Sequence, residues 1–152
     1  MRAVVQRVKE TSLEVDGKLI SKIPFGLTVF LGIKTGDTEK EASYLMKKIS
    51  ALRIFEDENG KMNFSVSDTR KEILIVSNFT LCASCRRGTR PDFFGAAKPD
   101  EANRLYEYFI KKASESGLNV QSGEFGADMK IDASLDGPVT IILDSEKDFA
   151  KG

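Results

Sequence analysis

The chain has 152 residues, 41% of them apolar and 30% charged, and its 23 Lys and Arg residues balance 23 Asp and Glu residues. No stretch approaches the roughly 18 consecutive apolar residues that a membrane span needs, and the N-terminal residues contain no apolar signal-peptide core. The basic excess of a protein that coats long nucleic acids is also missing. We therefore predict one cytoplasmic domain, residues 1–152, that binds no membrane and contacts nucleic acid only locally.

Histidine is absent from the chain. This composition excludes Ser-His-Asp and Cys-His catalytic arrangements and metal sites that are built on imidazole. Acid–base chemistry near neutral pH would then need a carboxylate, lysine or thiol with a shifted pKa, or a group of the substrate itself. We expect no metal ion and no cofactor.

The first third of the chain predicts strands and then a helix. Residues 2–8 favour a strand, and residues 12–23 alternate about a favoured hairpin pair, Asp16-Gly17. Residues 27–33 form an apolar run that is typical of a strand covered on both faces. The helix follows Thr38 and Glu41, which have the spacing of a capping box. Its apolar stripe contains Ala42, Leu45, Ile49 and Leu52.

The remaining elements follow in a mixed order. Residues 53–64 predict a second hairpin, residues 73–81 a buried strand and residues 82–98 an irregular segment. A second helix is predicted from Pro99 to just before Gly117. The last strands are predicted near 118–124, 128–135 and 138–144, with a turn at Asp136-Gly137 and a short loose tail after about residue 145.

These elements are mostly strands, with two main helices. Their order is mixed and lacks a regular βαβ alternation, so the predicted fold class is α/β of the mixed α+β kind.

The segment "VSNFTLCASC" (76–85) carries the first candidate site. Ser77 and Thr80 are hydroxyls near the end of a buried strand, where such side chains commonly bond to nearby backbone. Strand alternation would place Ser77 and Phe79 on one face, and Asn78 and Thr80 on the other. Because no histidine can activate these hydroxyls, a catalytic pocket here would depend on backbone N–H groups.

Cys82 and Cys85 have the spacing of a redox pair. Such a pair normally opens a helix, whose dipole lowers the thiol pKa, and the residues that follow Cys85 are poor helix formers. A zinc site needs about four ligands, which the chain does not supply by Cys and His. A structural role for both cysteines is therefore favoured.

Two further segments have an ordinary and a functional interpretation. Arg86, Arg87 and Arg90 are typical of a solvated loop, but arginine also binds phosphate bidentately. Gly137-Pro138 favours a turn, yet proline removes a ladder donor and permits a cis bond at low cost. A rigid Gly-Pro corner can therefore present carbonyl oxygens in fixed directions.

Several motifs together resemble one family, the D-aminoacyl-tRNA deacylases, first named D-tyrosyl-tRNA deacylases. The resemblance covers nearly the whole chain and depends on separated segments in the right order. These segments are "RAVVQRV" (2–8), "RIFEDENGKMN" (53–63), "VSNFTL" (76–81), "RRGTRPDF" (86–93), "LYEYF" (105–109), "GEFGADM" (123–129) and "DGPVT" (136–140).

The resemblance implies a homodimer with a barrel-like mixed sheet, which hydrolyses the ester of D-aminoacyl-tRNA and of glycyl-tRNA at the tRNA 3′ end. It places a catalytic segment at Ser77, Asn78, Phe79 and Thr80. It implies that Gly137 and Pro138 enter the pocket of the partner subunit and reject L-amino acids. The "GEFGADM" match implies substrate contacts by Phe125, Ala127 and Met129. Arg86, Arg87 and Arg90 are the candidates for tRNA phosphate.

Two residues depart from the family pattern. Asn78 stands where the family usually has glutamine, and Leu135 stands where it often has asparagine. Because leucine cannot donate a hydrogen bond, these changes leave alternatives open. One is a dimeric RNA- or nucleotide-binding relative without catalytic activity, and another is a thiol-based regulator that uses Cys82 and Cys85. Within the deacylase hypothesis, Thr80 either orients groups or acts as the nucleophile.

Overall fold

A six-stranded mixed sheet forms the body of the chain, for which a computed structural model describes residues 1–149. Residues 150–152 of the predicted domain lie outside this range. The elements are β1 Arg2–Val15, β2 Lys18–Ile23, β3 Gly26–Gly32, α1 Glu39–Ala51, β4 Phe55–Glu56, β5 Met62–Phe64, α2 Val66–Thr69, β6 Glu72–Ser77, a 3₁₀ turn at Phe79–Cys82, α3 Pro99–Glu115, β7 Asn119–Ser122, β8 Met129–Asp144 and α4 Ser145–Asp148.

The strands are arranged in the order β2-β1-β3-β6-β7, and β8 pairs with the other edge of β1. β1 runs antiparallel to β2, β3 and β8, whereas β3, β6 and β7 are mutually parallel. The two ends of the series meet, because the backbone N–H of Lys22 in β2 donates to Gln121 Oε1 in β7 at 2.9 Å. The predicted barrel-like mixed α+β fold is therefore confirmed.

Both main helices cover one face of this sheet. The buried stripes of α1 and α3 belong to the same apolar cluster as Ile73 and Ile75 of β6. Leu74 and Val76 belong to a second cluster, as strand alternation requires. β6 is thus buried on both faces, which explains its uninterrupted apolar sequence. The capping box of α1 is confirmed, since Thr38 N donates to Glu41 Oε2 at 2.7 Å.

The Asp16-Gly17 hairpin is also confirmed, with φ of 50° and 75° at its two residues. These positive angles are those of the turn that matches strand twist. The strands before it were predicted as separate pieces, which is wrong. β1 is continuous from Arg2 to Val15 because its outer edge pairs with β8 over this whole length.

Three other boundaries differ from the prediction. The strand predicted to Leu81 ends at Ser77, and the chain turns into the 3₁₀ helix, so the alternation assumed for Phe79 and Thr80 is wrong. β8 replaces two strands and a hairpin turn, because its two halves pair with the same partner, β1. The prediction of a loose tail is wrong as far as residue 149. Residues Ser145–Asp148 form α4, and Phe149 packs on Tyr44 with ring centroids 4.5 Å apart.

None of the helices within residues 1–149 combines the length and the apolar character that crossing a membrane would require.

Candidate functional site

A cavity of about 710 Å³ opens beside the C-terminal end of β6. Its volume lies in the range of pockets that hold small molecules. Its walls come from four parts of the chain. These are β3 with the residue after it, the residues from the end of β6 into the 3₁₀ turn, the loop before α3 with the first turn of α3, and the segment that enters β8 with the start of β8. The lining residues are Phe30, Leu31, Ile33, Val76, Ser77, Asn78, Phe79, Thr80, Phe93, Ala96, Ala97, Pro99, Ala102, Phe125, Gly126, Ala127, Asp128, Met129 and Ile131.

The predicted catalytic segment forms one wall of this cavity. Asn78 N donates to Leu31 O at 2.8 Å, which fixes the segment against β3. The Thr80 hydroxyl donates to Asn78 Oδ1. Among residues 1–149, the backbone N–H groups of Phe79 and Thr80 have no hydrogen-bond acceptor. Two backbone donors without an acceptor thus belong to residues that line the cavity, and donors of this kind can polarise a carbonyl oxygen.

Gly32 allows the 3₁₀ turn to lie this close to β3. A Cβ atom on Gly32 would lie 2.9 Å from Leu81 Cβ, 3.1 Å from Asn78 O and 3.2 Å from Cys82 Sγ. Contacts this short would displace the turn, so the position of the cavity wall depends on the absence of a side chain at this residue.

An ionic cluster behind the wall holds the other side of the turn. Arg2 Nη1 donates to Leu81 O at 2.8 Å, while its Nη2 donates to Asp144 Oδ2 at 2.8 Å. Lys34 Nζ lies 3.1 Å from Asp144 Oδ1 and 3.0 Å from Glu146 Oε2. Burial alone would raise the pKa of Asp144, but the hydrogen bonds from Arg2 and Lys34 lower it to about 2.

Another part of the cavity lining contains the predicted contact residues Phe125, Ala127 and Met129. Phe125 packs on Tyr106 of α3, with ring centroids 5.9 Å apart. The Tyr106 hydroxyl donates to Ile75 O at 2.7 Å, and burial raises the pKa of this phenol to about 12. The phenol therefore stays protonated and links α3 to β6.

Close backbone approach shapes the same wall. A Cβ on Gly123 would lie 2.7 Å from Met129 Sδ, and Gly126 has a φ of 76°. The absence of a side chain at Gly123 therefore lets Met129 lie this close to the backbone.

Charged groups are scarce in the cavity. Asp128 is the one titratable side chain among its lining residues, and it is exposed. Together with the absence of histidine, this leaves the backbone donors and the hydroxyls as the principal polar groups of the site.

Gly137 and Pro138 lie outside the cavity of their own chain. Val8 pairs with Leu135 and Gln6 with Thr140, so residues 136–139 bulge out of β8 opposite a single residue, Arg7. The Gly137–Pro138 peptide bond is cis, and both residues are exposed.

Arg7 supports this bulge from beneath. Its side chain is buried, and its Nε lies 3.0 Å from Asp136 Oδ2. Its Nη1 donates to Ile54 O at 2.7 Å. A buried guanidinium with an ion pair and a short hydrogen bond to a backbone carbonyl gives the bulge a fixed base.

The three predicted phosphate ligands lie on an exposed loop. Ser84 and Asp92 close this loop with two backbone hydrogen bonds of 2.9 Å. Arg86 lines a second cavity, of about 620 Å³, whereas Arg87 and Arg90 line neither cavity. None of the ion pairs within residues 1–149 includes these three arginines.

The cysteines occupy different environments. Cys82 is buried with its thiol 3.5 Å from Ile33 O, and Cys85 is exposed. Burial raises the pKa of the Cys82 thiol, which disfavours the reactive thiolate. The part of the chain from 1 to 149 contains no group of three or more His, Cys, Asp or Glu residues that could bind a metal ion.

Sequence reasoning missed several residues that shape the site. Arg7 and Arg2 lie within predicted strands, where a charged residue normally indicates a solvent-exposed position. Phe93 and Asp128 belong to the "RRGTRPDF" and "GEFGADM" segments, but their distance along the chain gave no sign that they share a cavity. Gly32 follows an apolar run, and an isolated glycine at a strand end indicates close backbone approach.

Comparisons with known proteins agree with this geometry. The family model described as D-Tyr-tRNA(Tyr) deacylase matches residues 4–144. Relatives named "D-aminoacyl-tRNA deacylase" are 52% identical in Bacillus cytotoxicus and 53% identical in Bacillus cereus over 146 residues, which cover 96% of this chain and 100% of each relative.

Solved structures show the same likeness. One titled "c-Myc DNA Unwinding Element Binding Protein" superposes with a TM-score of 0.90 at 44% identity, covering 95% of this chain and 99% of that one. A second, titled "Structural Analysis of a probable eukaryotic D-amino acid tRNA deacylase", covers 93% of this chain and 97% of that one with a TM-score of 0.79. At 17% identity it shows a shared fold alone. The family match and the relatives that are more than half identical show that this chain belongs to the D-Tyr-tRNA(Tyr) deacylase family.

Proposed function

We propose that this chain is a D-aminoacyl-tRNA deacylase, a hydrolase of ester bonds. It cleaves the bond between a D-amino acid, or glycine, and the 3′ end of tRNA, and it rejects L-aminoacyl-tRNA. The observation that carries this proposal is the cavity walled by Ser77–Thr80, with two backbone N–H groups that have no acceptor within residues 1–149. The names of relatives that align over their whole length supply the substrate class.

The proposed reaction is addition of water to the ester carbonyl. The terminal adenosine docks near Phe79, and the N–H groups of Phe79 and Thr80 stabilise the negative charge that develops on the carbonyl oxygen. The neighbouring ribose 2′-hydroxyl helps to activate the water. The C–O bond to the ribose then breaks, which releases the free amino acid and the 3′-hydroxyl of tRNA. In this scheme Thr80 orients groups and forms no covalent bond.

Discrimination between D- and L-esters is assigned to a second copy of the chain. The Gly137-Pro138 corner is exposed and lies outside its own cavity, and this exposure supports a role for it in the cavity of a partner. Within residues 1–149 β8 pairs only with β1, and its exposed side chains include Leu135 and Ile142. A long, unpaired and partly apolar edge favours association with a second copy. A homodimer therefore gives the corner its proposed role in excluding L-side chains.

The arginine loop is the proposed contact with the tRNA backbone. Arg86, Arg87 and Arg90 are exposed, and none forms an ion pair within residues 1–149. Guanidinium groups in this condition are able to bind phosphate. The zero net charge agrees with a grip on the tRNA end and not on the whole molecule.

The corresponding biological role is proofreading, in which D-amino acids are removed from tRNA before translation uses them. This role supports the predicted cytoplasmic location, where aminoacyl-tRNA is used in translation.

The proposal is tested by incubating the purified protein with D-tyrosyl-tRNA, L-tyrosyl-tRNA and glycyl-tRNA. We expect release of D-tyrosine and glycine, and L-tyrosine release at least 100-fold slower, since steric exclusion of an L-side chain costs several kcal/mol. Equal rates for the D- and L-esters would contradict stereochemical rejection. Tight binding of uncharged tRNA without hydrolysis of any ester would select the alternative, a non-catalytic RNA-binding relative.

A further inference from the structure

The candidate site has a neighbour that the proposed reaction does not use. A second cavity, of about 620 Å³, is lined by Arg2, Lys34, Thr35, Cys82, Ala83, Ser84, Cys85, Arg86, Gly95 and Glu146. The two cavities share two segments as walls. The 3₁₀ turn contributes Thr80 to the first and Cys82 to the second, and the loop before α3 contributes Phe93 to the first and Gly95 to the second. These two segments therefore form a ridge between the cavities.

Phe94 lies on this ridge, and 91% of its surface is exposed. It packs into neither of the apolar clusters of residues 1–149. Its neighbour Phe93 turns inward and meets Phe79 edge-on, with ring centroids 5.1 Å apart. An aromatic ring that is almost wholly exposed beside a pocket presents a free face for stacking.

The backbone beneath Phe94 is well fixed. Phe94 N donates to Asp92 Oδ1 at 3.3 Å, and Asp92 pairs with Ser84 through two 2.9 Å backbone bonds. On the other side, Thr35 N donates to Gly95 O at 3.0 Å. The backbone that carries the exposed ring is thus held by hydrogen bonds on both sides of Phe94.

The second cavity is basic. Its charged lining residues are Arg2, Lys34, Arg86 and Glu146, and the nearby Asp144 is bonded to both Arg2 and Lys34. Three cations against these two carboxylates leave one positive charge. Arg86 provides this excess, since its guanidinium forms no ion pair within residues 1–149.

We propose that the ridge and the second cavity bind the nucleotide that precedes the terminal adenosine of the tRNA. The base of this nucleotide stacks on Phe94, and a phosphate beside it lies against Arg86 at the mouth of the second cavity. An aromatic face next to a basic groove is the arrangement that binds single-stranded nucleic acid. This inference rests on the proposed function, because the adenosine must occupy the first cavity.

The test compares two substrates that share the ester and differ in the preceding nucleotides, D-tyrosyl-tRNA and D-tyrosyl-adenosine. Phe94→Ala should raise KM for D-tyrosyl-tRNA about tenfold, with kcat within about twofold, because stacking of one base is lost. Its kcat/KM for D-tyrosyl-adenosine should stay within about twofold of the unsubstituted chain. Phe94→Trp should restore KM for the tRNA. Leu19→Ala is the control, since it removes a side chain that is 59% exposed and lines neither cavity. It should leave kcat and KM unchanged for both substrates.

A binding measurement gives a second readout that is independent of catalysis. Fluorescence anisotropy of a 5′-labelled RNA tetranucleotide that ends in CCA should show a Kd about tenfold weaker for Phe94→Ala. Arg86→Gln should lower the slope of log Kd against log salt by about one unit.

Four outcomes separate the possibilities. Equal KM increases for both substrates would place Phe94 in the adenosine cavity and overturn the inference. An unchanged KM for the tRNA would also overturn the inference. An altered sedimentation coefficient of Phe94→Ala would overturn it as well, because the ring would then belong to an interface between copies. If the unsubstituted chain hydrolyses neither ester, the proposed function fails. If the Kd for the RNA tetranucleotide is then the same with and without the Phe94 ring, the stacking site is ruled out as well.

Discussion

The Asn78 side chain has a clear structural partner, although asparagine departs from the usual residue of the family. Its amide oxygen accepts the hydrogen bond of the Thr80 hydroxyl. A shorter side chain at this position therefore still orients Thr80. The backbone of Asn78 is bonded to Leu31 O at 2.8 Å, so the donors that follow it keep their position whatever the side chain is.

Thr80→Ala tests whether the hydroxyl is a nucleophile. Because the hydroxyl donates to Asn78 and the cavity contains no histidine, we expect the variant to keep kcat on D-tyrosyl-tRNA within about tenfold, the effect of one lost hydrogen bond. Single-turnover deacylation gives this rate directly. A loss of about 10⁴-fold or more, as removal of a nucleophile produces, would contradict the backbone scheme. Thr69→Ala, whose hydroxyl lies outside both cavities, is the control.

At the level of the elements, the bulge in β8 is the feature on which the proposed rejection of L-esters depends. Four residues, 136–139, stand opposite Arg7 alone, so the strand presents a corner without losing its pairing on either side. A bulge that is continuous with a long strand aims side chains and carbonyls more rigidly than a free loop does. This rigidity agrees with a role in excluding one enantiomer.

Gly137→Ala should disturb this corner. Gly137 has a φ of 125°, and an added Cβ would lie 2.8 Å from Val139 Cγ2 and 2.9 Å from Val139 N. We expect D-tyrosyl-tRNA hydrolysis to fall, or the ratio of D- to L-rates to fall, by at least tenfold. Sedimentation velocity should give the same sedimentation coefficient as for the unsubstituted chain. Unchanged rates on both esters would remove the corner from the proposal. Ser134→Ala, exposed on the same strand, should leave both rates unaltered.

Local patterns predicted some elements well and failed where pairing partners are distant. The Thr38 capping box and the Asp16-Gly17 turn depend on residues within one turn of each other, and both are confirmed. The turn predicted at Asp136-Gly137 has the same local signal as Asp16-Gly17. It forms no hairpin because β1 pairs with both halves of β8, which a local pattern does not contain.

On the scale of the whole molecule, one carboxylate joins the two ends of the chain to the site. Asp144, at the end of β8, is bonded to Arg2 of β1 and to Lys34 after β3, and Arg2 is bonded in turn to the 3₁₀ turn. Its pKa is lowered to about 2 from 3.8. Loss of this charge therefore weakens contacts that hold the cavity wall.

The pH dependence of stability follows from this lowered pKa. A carboxylate whose pKa is lower in the folded state contributes stability above its unfolded pKa, near 4, and loses it as the pH falls toward its folded pKa, near 2. We compare the free energy of unfolding of the native chain with that of Asp144→Asn at two pH values. The native chain should be the more stable at pH 6, and this stability difference should be smaller by about 2 kcal/mol at pH 2. Urea unfolding at fixed protein concentration measures this difference.

Asp132→Asn is the matched control for this measurement. Asp132 is 66% exposed, and its nearest cation, Lys130 Nζ, lies 3.7 Å away. Surface pairs of this kind contribute little to stability, so this variant should follow the native chain at every pH. A difference between the native chain and Asp144→Asn that stays constant with pH would contradict the role of the Asp144 charge.

The sequence by itself determined the chemistry that is excluded and the local elements. The absence of histidine needs no structure, and helical or strand spacing follows from the few residues that define one turn or one pleat. Its ordered motifs also indicated the family that the comparisons confirmed. The tertiary structure decided which residues share a cavity. Ser77–Thr80 meets Phe125 and Met129 through parallel pairing of β6 and β7. Gly137-Pro138 is kept out of that cavity because the β8 residues on either side of it, Leu135 and Thr140, pair with β1. Such contacts join residues about 50 to 130 positions apart, and their energy depends on the packing of the whole sheet.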